Sequence, residues 1–103
     1  MARGDIHENR GRGRATAPYL VDLQHDHLSG LKTRIVASLI RTAELRRTVE
    51  RLHVEVEVAG ESLVVAVHLL TAVPQRELGP HRGSLADRQA ELMNALDLLF
   101  AGI

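Results

Sequence analysis

The 103-residue chain predicts a mainly β fold completed by one C-terminal α-helix, and three observations carry that reading. Residues 52–58, Leu52-His53-Val54-Glu55-Val56-Glu57-Val58, alternate apolar and polar without a break, the two-residue period of a strand with one buried and one wet face. Ala59-Gly60-Glu61-Ser62 then supplies a turn and residues 63–70 a second, more apolar strand, so the pair reads as a hairpin. From Ser84 onward the period changes. Leu85, Leu92, Leu96, Leu99 and Ile103 share one helical stripe, with Asp87, Glu91 and Asp97 off it.

The remaining elements follow in chain order. Residues 2–17 are rich in Gly and Arg, centred on Arg10-Gly11-Arg12-Gly13-Arg14, and read as a mobile basic loop or arm. Residues 19–23 form a short strand, and residues 31–40 another, with Ile35, Val36, Leu39 and Ile40 around Arg34. Leu45, Val49 and Leu52 lie at helical spacing, which allows a helix of about three turns over residues 42–52. Pro74 has no N–H to give a ladder, so the strand reaching it ends there or lies at an edge. Gly79-Pro80 and Gly83 mark a loop. Ser84-Leu85-Ala86-Asp87 fits a capping box, and Gly102 sits where a left-handed C-terminal cap belongs. With no internal repeat and no linker, residues 1–103 read as a single domain.

Composition narrows the function. Apolar residues make up 45% and charged residues 25%, the balance of a globular protein. Lys plus Arg equal Asp plus Glu at 13 each, so no global field points to nucleic acid or anionic lipid. One Phe, one Tyr and no Trp leave few rings for base stacking. The absence of Cys excludes disulfides, thiolate metal sites and a Cys nucleophile. The first sixteen residues lack the apolar stretch of a secretory signal, and the longest apolar run, residues 63–67, is far short of a membrane span. A cytoplasmic protein with no membrane contact is expected.

Little in the chain points to catalysis. His25 and His27 would share a strand face and suit two metal ligands, with Asp22 and Asp26 nearby, yet no third ligand is placed, so a solvated or partner-contacting loop is the better reading. His53 and His68 fall in the hairpin as packed or hydrogen-bonded histidines. A nucleophile elbow has only Ser29-Gly30 and Gly83-Ser84 as candidates, and Ser84 is accounted for as a cap. No Gly-rich phosphate loop precedes a helix, so neither an enzyme nor a cofactor is expected. The Arg-Gly turn has the chemistry to touch phosphates but reads first as a solvated hairpin tip. Residues 98–103 carry no charged side chain; so apolar an end is core, dimer interface or binding surface.

Several stretches resemble the CcdB family of gyrase-poisoning toxins. Tyr19-Leu20-Val21-Asp22-Leu23-Gln24-His25-Asp26-His27-Leu28 is similar to that family's (Phe/Tyr)-Phe-Val-Asp-Val-Gln-Ser-Asp segment with two hydrophobic residues after it. Thr33-Arg34-Ile35-Val36 matches its Arg-(hydrophobic)-Val strand, and Thr71-Ala72-Val73-Pro74 its Ala/Thr-Ser-Val-Pro. Gly79, Leu85, Arg88, Asn94-Ala95 and Gly102-Ile103 follow in register, so the resemblance spans residues 18–103.

The resemblance implies a small five-stranded, partly open SH3-like barrel with an added hairpin and the C-terminal helix. It further implies a homodimer, the DNA gyrase A subunit as target, a CcdA-like antitoxin whose disordered tail wraps the dimer, and contact with operon DNA only through the antitoxin complex. Carried onto this chain, the gyrase-binding residues are Asp97, Phe100, Ala101, Gly102 and Ile103, with His25, His27 and Leu28 framing the same surface or the antitoxin's footprint. Departures are visible. Ala101 stands where well-known relatives carry a Trp that stacks on an Arg of gyrase, a truncation worth about 2 kcal/mol or more at an interface hot spot. His25 replaces the Ser, His27 an aliphatic and Ser38 the usual Pro, and in Gly4-Asp5-Ile6-His7-Glu8 only Ile6 suits the apolar first strand.

Overall fold

Strand-forming segments separated by short turns assemble into one antiparallel sheet of six strands in the order β4-β5-β3-β2-β1-β6. A computed structural model describes residues 2–45, 49 and 51–102. The strands are β1 (Asp5–Asn9), β2 (Tyr19–Asp22), β3 (Thr33–Arg41), β4 (His53–Val58), β5 (Glu61–Pro74) and β6 (Leu78–Ser84), followed by α1 (Gln89–Ala101). The sheet curls into a half-barrel, and α1 packs on β4 and β5. The mainly β architecture with a C-terminal helix is thus the one the sequence predicts.

Alternation sets the core. Val54, Val56 and Val58 point inward between exposed Glu55 and Glu57 and meet Leu63, Val65 and Val67 of β5. Leu39, Val21, Ile6, Leu85, Leu92 and Ala95 complete the same cluster. A smaller cluster of Ala17, Ile40 and Ala66, with Leu45 against it, forms separately. The β4–β5 turn is two residues long, Ala59-Gly60, both at positive φ, the conformation whose twist suits a tight hairpin.

Four local expectations are corrected. The Gly79-Pro80-Gly83 segment is β6, an edge strand paired with β1 through two register shifts. At an edge a proline loses no ladder bond on the solvent side, and a Cβ at Gly79 would stand 2.9 Å from Glu8, so glycine permits the close approach. Ser84 caps no α-helix: its Oγ accepts from the Ala86 N–H at 3.1 Å, a 3-10 turn over Ala86–Arg88 follows, and α1 begins only at Gln89. The helix allowed over residues 42–52 appears as a short 3-10 turn at Thr42–Glu44, and residues 46–48 and 50 lie outside the described residues. The Gly-Arg arm includes strand β1 and an ordered turn, despite the polar Asp5, His7 and Glu8. Gly102, by contrast, takes the expected left-handed cap, φ 74° and ψ 20°, its N–H donating to Leu98 at 3.0 Å.

Candidate functional site

The site is built on a buried ion pair. Asp22 and Arg34 are both fully buried, with Arg34 Nε donating to Asp22 Oδ2 at 2.9 Å and Nη2 2.6 Å from the same oxygen. Asp22 Oδ1 accepts the Gln24 N–H at 2.9 Å. Nη1 of Arg34 has no hydrogen-bond partner, and Nη2 has ion-pair contact without hydrogen-bond geometry. Such a pair positions more than it stabilises, because desolvation offsets most of its attraction.

Gln24 carries the brace outward. Its Oε1 accepts the Ile35 N–H at 3.0 Å and its Nε2 donates to the Leu28 carbonyl at 2.9 Å, tying β3 to the 3-10 turn Asp26–Leu28. His25 caps that turn, its Nδ1 accepting the His27 N–H at 3.1 Å, and the two rings meet edge-on at 4.6 Å. The histidines therefore stand on a turn and not on the strand face expected of a metal site. Among the described residues no three His, Asp or Glu side chains are placed to hold a metal ion. Arg3 fastens the turn from the other side, its N–H donating to Asp26 Oδ1 at 2.8 Å and its Nε to the Leu23 carbonyl at 3.1 Å.

This scaffold leaves an apolar groove of about 390 Å³ lined by Leu28, Leu31, Ile35, Leu70, Leu96 and Phe100, with Arg3, Gln24 and His25 among its polar lining. Phe100 is 74% exposed, and Leu28 and Leu31 are each 50% exposed. Large apolar side chains left this open on adjoining elements mark a surface made to be covered.

Of the residues the sequence nominated, the structure joins Phe100, His25 and Leu28 in this groove. His27 is exposed beside His25 but does not line it; Asp97 and Ala101 are exposed on α1, next to the Gly102 cap; Ile103 lies outside the described residues. Leu31, Ile35, Leu70, Leu96 and Arg3 were not nominated. The first two read as ordinary strand formers, and nothing in a single sequence marks which side of a strand remains bare. Leu96, on the apolar stripe of the helix, is partly buried: it packs against the main core cluster and also lines the groove.

A second cavity, about 570 Å³, opens near the start of α1 and is lined by Val49, Arg51, His53, Val54, Glu55, Arg88, Glu91 and Asn94. Several of its polar groups are engaged. Arg88 binds Glu91 at 2.5 Å and the Glu55 carbonyl at 3.0 Å; the bond to Glu91 raises the pKa of the Arg88 guanidinium and lowers that of the Glu91 carboxyl. His53 Nδ1 accepts the Val49 N–H at 2.8 Å while Nε2 lies 2.8 Å from His68 Nδ1, and burial, then His68, lowers its pKa. Both hairpin histidines are hydrogen-bonded, as the sequence suggested.

The fold is shared with solved structures of other proteins. A solved endoribonuclease in complex with its cognate antitoxin, from a mycobacterial species, superposes with a TM-score of 0.77 at 16% identity, over 96% of this chain and 93% of that one. The Mycobacterium tuberculosis toxin MazF-mt6 gives 0.75 at 22% identity, over 93% and 95%. A further solved Mtb toxin gives 0.73 at 20%, over 92% and 99%. At such identities the likeness is one of fold. No curated protein matches in sequence. The family model of CcdB protein matches residues 3–102, and the chain belongs to the CcdB family. Among the described residues no helix is long and apolar enough to cross a membrane.

Proposed function

We propose that the protein is the toxin of a type II toxin–antitoxin pair, and that it poisons DNA gyrase through the carboxyl end of α1. Family membership supports the toxin assignment. The observation carrying the finer reading is Phe100, 74% exposed at the mouth of an apolar groove that also holds Leu28 and His25. A solvent-exposed Phe beside half-exposed leucines is the composition of an interface centre. Gly102, with no side chain beyond the helix end, allows close approach of a target backbone. A homodimer would bring two such ends together, and a CcdA-like antitoxin would compete with gyrase for the same surface. In this reading the protein acts by binding.

A second reading is favoured by Ala101. It is exposed beside Phe100 and offers a methyl group where stacking on gyrase calls for a ring. In that reading the protein retains only antitoxin binding and operon repression. Expression in cells, with purified gyrase assayed for trapped DNA cleavage, separates the two. Toxicity that disappears on truncation after Phe100 and rises at least tenfold in potency with Ala101→Trp supports gyrase poisoning. Harmless native and Ala101→Trp chains transfer the assignment to the regulator. Cleavage of RNA by the purified chain, with gyrase unaffected, overturns both.

A further inference from the structure

The Arg10-Gly11-Arg12-Gly13-Arg14 turn takes no part in the groove, yet it is ordered. Asn9 accepts the Gly11 N–H at 2.8 Å on Oδ1 and donates through Nδ2 to the Ala17 carbonyl at 2.9 Å. The N–H groups of Thr16 and Ala17 both donate to Gly13, at 3.1 and 2.8 Å, closing the 3-10 turn Arg12–Ala15. Arg41 Nη1 holds the Ala15 carbonyl at 2.9 Å from β3. Arginine side chains are therefore presented from a fixed frame, which lowers the entropic penalty of engaging them.

The charge there is unbalanced. Arg10, Arg12 and Arg14 are exposed, and among the described residues none of them is in an ion pair; Arg14 only folds back to the Gly11 carbonyl at 3.0 Å. Of the neighbouring carboxylates, Glu8 is paired with Arg82 and Glu61 with Arg41. Glu77, close to Gly11, is left against three guanidinium groups. The chain's zero net charge makes this a local cationic patch and not part of a general field.

We propose that this turn binds the phosphate backbone of duplex DNA. Guanidinium forks match phosphate oxygens in geometry and charge. No large exposed apolar side chain occurs among residues 2–22, so the patch lacks the anchor a peptide ligand requires. Neither ring of the chain serves it: Tyr19 packs against the core and Phe100 lies in the groove, so bases of a single strand have no stacking platform. Contact by charge alone is the mode of backbone binding without sequence readout.

The test is fluorescence anisotropy of a labelled duplex of arbitrary sequence with the full chain over a salt series. Three neutralised phosphates per protomer give a slope of log K on log salt of about −2.7, a loss of roughly fortyfold between about 50 and 200 mM salt. The Arg10→Gln, Arg12→Gln, Arg14→Gln triple variant is expected to lose binding with an unchanged melting temperature. Lys32→Gln removes one exposed charge outside the turn and should weaken binding less than Arg12→Gln does. Absence of duplex binding at about 50 mM salt, equal losses for Lys32→Gln and Arg12→Gln, an unaffected triple variant, or tighter binding to single-stranded RNA of equal length each overturns the proposal.

Discussion

The two halves of β5 have nearly the same apolar sequence and opposite fates. Leu63, Val64, Val65, Ala66 and Val67 are 0% exposed, whereas Leu69, two residues further along, is 46% exposed. The first half lies between β4 and the inner part of β3; β4 pairs only as far as Ala66, and the second half continues with β3 alone. Where a strand has neighbours on both sides and a helix above, its side chains are core. Where it outruns them, the same residue types become surface. α1 repeats the pattern: Leu92 and Ala95 are buried, while Leu99 and Phe100 emerge toward its carboxyl end. Both uncovered halves supply residues to one groove, Leu70 from β5 and Phe100 from α1.

Charge substitutions test this contrast most sharply. Val65→Asp should abolish cooperative folding, because an unpaired carboxylate in a filled core exceeds a stability of the order expected for a domain of this size. Leu69→Asp should shift stability by about 1 kcal/mol or less. Urea unfolding followed by circular dichroism reads both, and equal effects would show that the two halves are equivalent.

Next in size is the ion pair beneath the groove. Asp22→Ala strands the Arg34 guanidinium and should destabilise by about 3–5 kcal/mol, whereas an Asp22→Leu, Arg34→Met double replacement should recover most of that loss. Failure of the double variant to recover would mean the pair holds the turn in a way that apolar packing cannot replace.

Truncations on α1 are smaller and divide by readout. Leu92→Ala should lower stability by about 2–5 kcal/mol. Phe100→Ala should change stability by less than about 1 kcal/mol and instead weaken self-association or antitoxin binding at least tenfold, by analytical ultracentrifugation or calorimetry. If Phe100→Ala unfolds the chain, the end of α1 is core.

The smallest effect concerns the hairpin histidines. Burial and His68 hold the folded-state pKa of His53 below its ordinary value, so the unfolded chain takes up that proton first as pH falls. The stability contributed is complete above about pH 6.5 and is lost as pH drops through the folded-state value. His53→Gln should therefore show a shallower fall in urea midpoint than the parent between about pH 7.5 and 5.5. An unchanged slope assigns the pH dependence to other groups.

The chain's own pattern determined its strongly periodic parts. Alternation over β4 and the left-handed cap at Gly102 follow from local chemistry and stand where expected. A turn does follow Val58, though it takes only Ala59-Gly60 while Glu61 and Ser62 already pair in β5. The resemblance in residues 18–103 likewise led to the family without coordinates. Tertiary structure alone decided the rest. β6, with Gly79, Pro80 and Gly83, has no strand-forming residues to announce it and exists because β1 presents an open edge. The groove joins residues from the turn before β3, from β3, from the far half of β5 and from the end of α1. The resemblance pointed to His25, Leu28 and Phe100, whereas Leu31, Ile35 and Leu70 look like ordinary strand core in sequence. Local periodicity records which residues avoid water together, but which of them stay uncovered depends on where neighbouring elements stop, and that is set by the packing of the whole chain.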